Sequence, residues 1–279
     1  MTAAGIRPSH RDPVAGFGLA LGVTLFWLTA IVLVPLLALV LRPWELGLSG
    51  VLSSLAEPRV LAALRLSFGA AFLSALVDVP LGLLLAWVLV RYQFPGRRLM
   101  DAVVDLPFAL PTAVAGLALT ALFATNGWLG KPLAVLGIKV AFTPLGVIVA
   151  MAFVGLPFVV RTVEPVLRDL SLEAEEAAAT LGASRPQVLR RVVLPALAPA
   201  LLTGFGLSLA RAVGEYGSVI FIAGNMPMVS EIAPLLIVIR LEQFDYAGAA
   251  AIGLAMLLIS FAVLLCLNLA QRWLRRGRR

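Results

Sequence analysis

Long runs of apolar residues alternate with short polar segments along most of the chain. Six runs are rich enough in apolar residues to be spans, at roughly 15–41, 62–90, 102–124, 143–163, 196–222 and 247–271. A run of about 20 apolar residues crosses a bilayer as a helix, because lipid offers no partner for an unpaired backbone amide. The pattern therefore predicts an all-α integral membrane protein with six transmembrane helices.

Composition agrees with a location in the bilayer. Hydrophobic residues make up 61% of the chain, and the mean hydropathy is +1.01. This leaves too little polar surface to cover a soluble globule, which excludes an ordinary soluble domain. The first run is too long for the core of a signal peptide and has no convincing small-residue cleavage site, so we expect it to be retained as a helix.

Arginine and lysine residues are distributed unevenly between the two sides of the predicted spans. Fifteen arginines fall on one side, at positions 7, 11, 91, 97, 98, 161, 168, 185, 190, 191, 272, 275, 276, 278 and 279. The opposite loops carry only Arg42, Arg59, Lys131, Lys139 and Arg240. By the positive-inside rule the side with fifteen arginines, including both termini, is cytoplasmic. Membrane orientation thus accounts for most of the net charge of +7, and we do not expect nucleic-acid binding.

This topology defines the predicted organisation of the chain. A cytoplasmic tail (1–14) precedes the first transmembrane helix (15–41), and a core of five further helices (60–271) follows. The core contains a cytoplasmic loop (164–195), and a basic cytoplasmic tail (272–279) ends the chain.

The chain carries few residues suited to catalysis or metal binding. Cys266 is the only cysteine and His10 the only histidine, so we expect neither a metal site nor an acyl-transfer site. A Walker A motif is also missing from the sequence, so this chain does not bind ATP through such a loop. If ATP drives the protein, another chain must supply the ATPase.

Charged residues inside the predicted spans are costly and need an explanation. Four stand out: Asp78, Asp105, Arg211 and Glu215. The last two are four residues apart, the spacing at which opposite charges meet on one helix face. We expect this pair to be an ion pair that holds the helix, in preference to a ligand site. For Asp105 we expect a structural pairing near Arg97, Arg98 and the cytoplasmic interface.

The fifth span is interrupted by glycines. They occur at Gly204, Gly206, Gly214 and Gly217. Glycines allow close helix packing, and they also allow a helix to unwind where it lines a water-filled path. Both interpretations remain open for any one glycine. As a group they make Gly214, Tyr216, Gly217 and Ser218 the candidate pathway or gating residues, where hydroxyls and backbone amides could coordinate an anion.

The stretch between residues 225 and 246 is amphipathic and too polar to be a span. It predicts either an interfacial or re-entrant helix on the outer side that contacts a substrate-delivering protein, or simple packing against neighbouring spans.

The cytoplasmic loop has the features of two short helices joined by a sharp turn. Ser171 is placed to cap the first helix, and Gly182 suits the left-handed position that ends it. Ser184 and Gln187 form a capping box for the second helix. Small or apolar residues fall on one narrow face of the first helix, at Leu170, Ala174, Ala177, Ala178 and Leu181. Such a face can lie close in a groove of a partner.

The spacing within this loop resembles that of ABC-importer permeases. The family pattern is matched by Glu176, Ala177, Ala178, Gly182, Val192, Leu194 and Pro195. A second segment, Glu215-Tyr216-Gly217-Ser218 followed by Ala223-Gly224-Asn225, resembles the T-type (U-type) permease subunit of the sulfate/thiosulfate importer. We call residues 164–195 the Glu-Ala-Ala loop.

The resemblance implies a type I ABC importer permease fold and a five-part complex in the bacterial cytoplasmic (inner) membrane. The complex would contain this chain, a homologous W-type permease, two ABC ATPase subunits and a periplasmic sulfate/thiosulfate-binding protein. The Glu-Ala-Ala loop would dock on an ATPase through Glu176, Ala177, Ala178, Gly182, Leu194 and Pro195. ATP and Mg would be used by the ATPases, and this chain would bind no cofactor.

Three alternatives to a sulfate permease remain open. A molybdate/tungstate ABC permease would share the Glu-Ala-Ala loop. An ion-coupled secondary transporter could use Asp78 and Glu215 but does not account for the loop. A membrane scaffold would have no use for the interrupted fifth span.

Overall fold

The computed structural model describes residues 17 to 276, and side chains up to residue 272. The predicted N-terminal tail, with His10, and the last three residues of the predicted C-terminal tail therefore lie outside the described residues. Within residues 17–276 all regular elements are helices: α1 (Phe17–Ala56), α2 (Pro58–Arg91), α3 (Arg97–Val104), α4 (Leu106–Ala109), α5 (Thr112–Phe123), α6 (Gly130–Val135), α7 (Pro144–Asp169), α8 (Leu172–Thr180), α9 (Arg185–Val213), α10 (Val219–Ile222), α11 (Ala233–Glu242) and α12 (Tyr246–Arg276).

Five of the described helices are long and apolar enough to cross a membrane, namely α1, α2, α7, α9 and α12. They lie at the first, second, fourth, fifth and sixth predicted spans. The first predicted span corresponds to residues 17–41 of α1. A 3-10 turn (Arg42–Leu46) and Gly47, with φ +67°, then redirect the chain into the helical segment Gly47–Ala56. The third predicted span is represented by the shorter apolar helix α5.

The third predicted span is broken by prolines. Residues 102–124 form parts of α3, α4 and α5 in place of one continuous helix. Leu110, directly before Pro111, has the extended backbone (φ −81°, ψ 136°) that a following proline favours, and this ends α4. Pro107 lies in the first turn of α4, where its missing N–H is tolerated. Hydrophobicity averaged over the run conceals both breaks.

Two of the long helices contain a π-helical turn. These turns cover Thr29–Leu33 in α1 and Leu189–Val193 in α9, and each ends two residues before a proline, Pro35 or Pro195. Proline has no N–H for the usual bond to residue i−4, so the ladder of hydrogen bonds readjusts in the preceding turn. The Leu-Pro pair that closes the Glu-Ala-Ala pattern thus marks the point where α9 returns to regular α-helix.

The protein core is formed by α2, α7 and α9, which pack against one another. Small residues allow the backbones to approach closely. A Cβ on Gly82 of α2 would lie 2.7 Å from Val159 Cγ1, and one on Gly204 of α9 would lie 3.0 Å from Val159 Cα. Valine and leucine side chains, including Leu89, Val163 and Leu167, fill the space between the C-terminal ends of α2 and α7.

The first helix lies outside this core. No residue of its first segment, Phe17–Leu28, is buried, and its later part contacts α12. Large apolar side chains are open to the surroundings there, with Leu19 77% exposed and Trp27 56% exposed. Lipid is the medium in which such a surface is stable.

The amphipathic stretch after the fifth span forms α11, which packs against α2 and α12. The N–H of Ala233 donates to Ser67 Oγ at 2.8 Å, and the apolar side of the helix is buried through Leu235 and Leu236. Just before α11, Glu231 accepts two hydrogen bonds from Arg59 at 2.7 and 2.8 Å. Within the described chain, this stretch is therefore a helix packed against neighbouring spans.

Candidate functional site

The Glu-Ala-Ala loop is a helix, a sharp turn and a second helix, as its local sequence predicts. The N–H of Glu173 donates to Ser171 Oγ at 3.1 Å, which caps α8. Gly182 has φ +86°, the left-handed conformation that suits glycine after a helix. The N–H of Ser184 then donates to Gln187 Oε1 at 2.7 Å and starts α9. These cap and turn predictions are confirmed.

The turn is closed by backbone hydrogen bonds. The N–H groups of Gly182 and Ala183 donate to the carbonyls of Ala179 and Ala178 at 2.9 and 3.0 Å. This is the pair of bonds by which a left-handed residue satisfies the last carbonyls of a helix. The direction in which α9 leaves α8 is therefore set by a single residue, Gly182.

Much of the predicted narrow face is open within this chain. Leu181 is 89% exposed, and Ala174 and Ala177 are also exposed, whereas Ala178 is half-buried. Leu170 instead packs against the chain's own core. Glu176, at the start of the family pattern, is exposed as well. The tip of the loop thus presents small and apolar side chains outward from the protein.

An ion pair joins α8 to the C-terminal end of α2. Arg91 Nη2 donates to Glu175 Oε1 at 2.5 Å, and both side chains are mostly covered, at 16% and 21% exposure. The Arg91 guanidinium also lies 5.5 Å from the centre of the Trp87 ring, within the range of a cation–π interaction. The ion pair therefore connects α8 to α2, and the Trp87 contact lies within α2.

The fifth span stops at Val213, and the chain then crosses a turn before α10. This interruption fits tightly against α5. A Cβ on Gly217 would lie 2.1 Å from Thr112 Oγ1, and one on Gly116 would lie 2.4 Å from the Ser218 carbonyl oxygen. Gly116 is thus required by close packing against the backbone of Ser218, and Gly217 by close packing against the Thr112 side chain.

The carboxylate of Glu215 is at the centre of this interruption. Its Oε2 lies 2.5 Å from Arg211 Nη1, and its Oε1 accepts hydrogen bonds from the N–H and the hydroxyl of Ser218, both at 2.9 Å. Glu215 is 2% exposed, whereas the Arg211 side chain is 34% exposed. The two residues predicted to pair are therefore in contact, and the contact is open on the arginine side.

The four candidate pathway residues differ in their surroundings. Gly214 is exposed, and Tyr216 and Gly217 are half-buried. Ser218 is fully buried, and both of its donors are directed at Glu215. Its hydroxyl therefore stabilises the buried carboxylate and has no donor left for an anion. The predicted coordination of an anion by this hydroxyl is not what the geometry favours.

Asp78 lies where the three core helices meet. It is fully buried, and Ser208 Oγ of α9 lies 2.7 Å from Asp78 Oδ2 as hydrogen-bond donor. Gly155 of α7 leaves just enough room for this contact, since a Cβ there would lie 2.4 Å from both Asp78 Oδ2 and Ser208 Oγ. The sequence singled out Asp78 but gave no indication of its partner Ser208 or of the space that Gly155 leaves for the contact.

The structural pairing predicted for Asp105 is present, although neither Arg97 nor Arg98 supplies it. Arg161 of α7 donates to both oxygens of Asp105, at 2.9 and 2.7 Å. The same guanidinium also donates to Asp101 and Glu164, both at 2.7 Å. The cluster ties α3 to the C-terminal half of α7. Arg161 is 56 residues from Asp105 along the chain, so the sequence pattern gives no indication of this contact.

Comparison with known protein families identifies the kind of protein that carries this arrangement. Residues 78–279 match the family model for the binding-protein-dependent transport system inner membrane component. The chain belongs to this family of transport permeases. The matched range includes the Glu-Ala-Ala loop, the interrupted fifth span and Asp78.

Individual similar proteins support this family assignment over nearly the whole length of the chain. It is 49% identical over 271 residues to the sulfate transport system permease protein CysT of Salmonella typhimurium, and likewise to that of Escherichia coli, with 97% of both chains covered in each case. The structure of a bacterial alginate ABC transporter in complex with a substrate-bound periplasmic protein matches with a TM-score of 0.75. That match covers 91% of the permease and 93% of the other chain at 18% identity, so it supports the fold alone.

Proposed function

We propose that this permease forms part of the path by which sulfate and thiosulfate enter the bacterial cell. The observation that carries the proposal is the 49% identity to two sulfate permeases over 97% of the chain. The aligned region includes both the candidate pathway residues and the Glu-Ala-Ala loop. The proposal therefore covers both the transported anion and the coupling of transport to an ATPase.

We further propose that two ATPase subunits, which use ATP and Mg, drive transport through the Glu-Ala-Ala loop. An ATPase cleft would receive the tip of the loop at Leu181, Ala177 and Glu176, which this chain leaves exposed. Movement of that cleft would shift α8 as a unit, because Gly182 fixes the turn after it and Arg91 holds Glu175. The pull on α2 would then reach Asp78 and the packed core, where it would alternate access.

The remaining partners follow from the same proposal. A homologous W-type permease would complete the membrane path, and a periplasmic sulfate/thiosulfate-binding protein would deliver the anion at the outer face. Both termini of this chain would be cytoplasmic, because the arginine excess marks that side. A molybdate permease is the alternative that shares this architecture, but the near-full-length relatives do not favour it.

Reconstitution tests the proposal. The complete complex, placed in vesicles with the binding protein outside and ATP with Mg inside, should accumulate radiolabelled sulfate. Unlabelled thiosulfate should compete, and molybdate should compete weakly at most. Vesicles that lack the ATPase subunits are the control and should accumulate nothing. Uptake that continues without ATPases but collapses with the proton gradient would instead establish a secondary transporter.

A further inference from the structure

Arg211 places a guanidinium near the middle of the membrane. Ser208 of α9 is bonded to Asp78 of α2, and Asp78 lies about 30 Å along the helix from Pro58 and about 20 Å from Arg91, at roughly 1.5 Å per residue. Arg211 follows Ser208 by three residues, which is about 4.5 Å further towards the outer face. Its backbone is thus roughly 25 Å from either end of α2.

The surface around Arg211 is open in this chain. Leu207, one turn earlier on the same helix, is 45% exposed, and Gly214, one turn later, is exposed with no atom within 4 Å of the position a Cβ would take. A cation at this depth is expensive against lipid, so the face must meet a polar medium. In a permease built from two chains, the water-filled path between them is such a medium.

Glu215 does not depend on Arg211 alone. The N–H and hydroxyl of Ser218 supply two donors to its carboxylate from the buried side. Within residues 17–276, the Arg211 guanidinium is paired with Glu215 and has no further protein acceptor for its remaining N–H groups. Arg211 can therefore turn towards an anion while Glu215 keeps two hydrogen bonds.

We propose that the exposed N–H groups of Arg211 bind the translocating oxyanion midway across the membrane, and that Glu215 takes the guanidinium back when the anion leaves. The assignment rests on the proposed function, since it names the substrate class. A fixed lone cation would hold a dianion tightly in a low dielectric, whereas a neighbouring carboxylate competes for the same donors. The ion pair predicted from sequence then serves both stability and transport.

The test uses Arg211→Gln, Arg211→Lys and the double variant Arg211→Gln with Glu215→Gln, each in the complete reconstituted complex. Arg211→Gln should lower sulfate uptake per complex by about tenfold to a hundredfold, the equivalent of a lost charged hydrogen bond. Arg211→Lys should be intermediate, because it keeps the charge but loses the planar fork. A single unpaired charge should lower the yield of assembled complex. The double variant should restore that yield, while its sulfate uptake stays low.

Arg65→Gln is the matched control. It removes the same charge from an exposed site on α2 about 20 Å outward of Asp78 along the helix, and uptake should be unchanged. A double variant that regains wild-type uptake along with assembly would overturn the role of Arg211 and leave the proposed function intact. A wild-type complex that imports no sulfate would overturn both.

A second measurement does not depend on how the Arg211 variants fold. In a complex free of other cysteines, Gly214→Cys should react with a small water-soluble anionic thiol reagent, and sulfate supplied during turnover should slow the reaction. A cysteine that stays unmodified in the working complex would show that this face meets lipid or protein, which contradicts the assignment.

Discussion

Gly155→Ala is the substitution for which the core packing gives the sharpest expectation. The added Cβ would lie 2.4 Å from Asp78 Oδ2 and from Ser208 Oγ, both on fully buried residues. Ordinary contact begins at about 3.4 Å, so these atoms must retreat by about 1 Å. Overpacking of this kind costs about 1–3 kcal/mol, and loss of the buried hydrogen bond between Ser208 and Asp78 costs about 1–3 kcal/mol more.

Alanine recovers about 1 kcal/mol through its higher helix propensity. We therefore expect Gly155→Ala to lower the free energy of unfolding by about 1–5 kcal/mol, the sum of these three contributions. The assay is denaturant or thermal unfolding of the purified permease in detergent micelles, followed by helix content. The yield of assembled complex from membranes should fall in parallel.

Gly69→Ala in α2 is the control, because no atom lies within 4 Å of the position its Cβ would take. It should be neutral or stabilise the protein by up to about 1 kcal/mol through helix propensity alone. If Gly155→Ala unfolds at the same denaturant concentration as Gly69→Ala, the three helices do not meet as closely as described. The close packing of Asp78 against Gly155 and Ser208 would then be contradicted.

Three further outcomes test the loop and the topology. Gly182→Val should abolish sulfate uptake while assembly survives, because a β-branched residue resists φ +86°. Gly182→Asn should retain uptake, because asparagine tolerates this conformation. Equal uptake by both variants would exclude a coupling role for the turn. Single cysteines at Ser184 and Lys139, in a cysteine-free background, should be labelled from opposite faces by an impermeant reagent; labelling of both from outside intact cells would contradict the predicted orientation. A double-mutant cycle combines Arg91→Gln and Glu175→Gln, with sulfate uptake per ATP hydrolysed as the measured quantity. The coupling energy between the two residues should be about 0.5–3 kcal/mol. Strictly additive effects would show that this ion pair does not couple ATP hydrolysis to uptake.

The sequence was most informative where structure is decided locally. Ser171, Gly182 and Gln187 act on backbone groups within three or four residues of themselves, so the caps and the turn of the Glu-Ala-Ala loop could be predicted without any knowledge of the fold. The break of the third span was also visible locally, in Pro107 and Pro111, but the length of the apolar run concealed it.

Contacts between distant parts of the chain were beyond prediction. Arg91 meets Glu175 across 84 residues, and Arg161 meets Asp105 across 56. Which arginine finds which carboxylate depends on how far each helix is shifted and rotated against its neighbour, and a single sequence carries no record of either. The direction of Ser218 towards Glu215 was missed for a related reason, because the unwound turn that allows it has no helical periodicity.

The helix α2 is held at three depths, and this gives it a mechanical property. One end is fixed through Arg59 to Glu231, its middle through Asp78 to Ser208, and its other end through Arg91 to Glu175. A single helix of 34 residues, with Pro80 in its interior, spans these points, a length of about 50 Å. Linkage applies in both directions. A partner that favours one position of α2 at its Arg91 end raises the affinity of the Arg59 end for whatever favours that position there, by the same free energy.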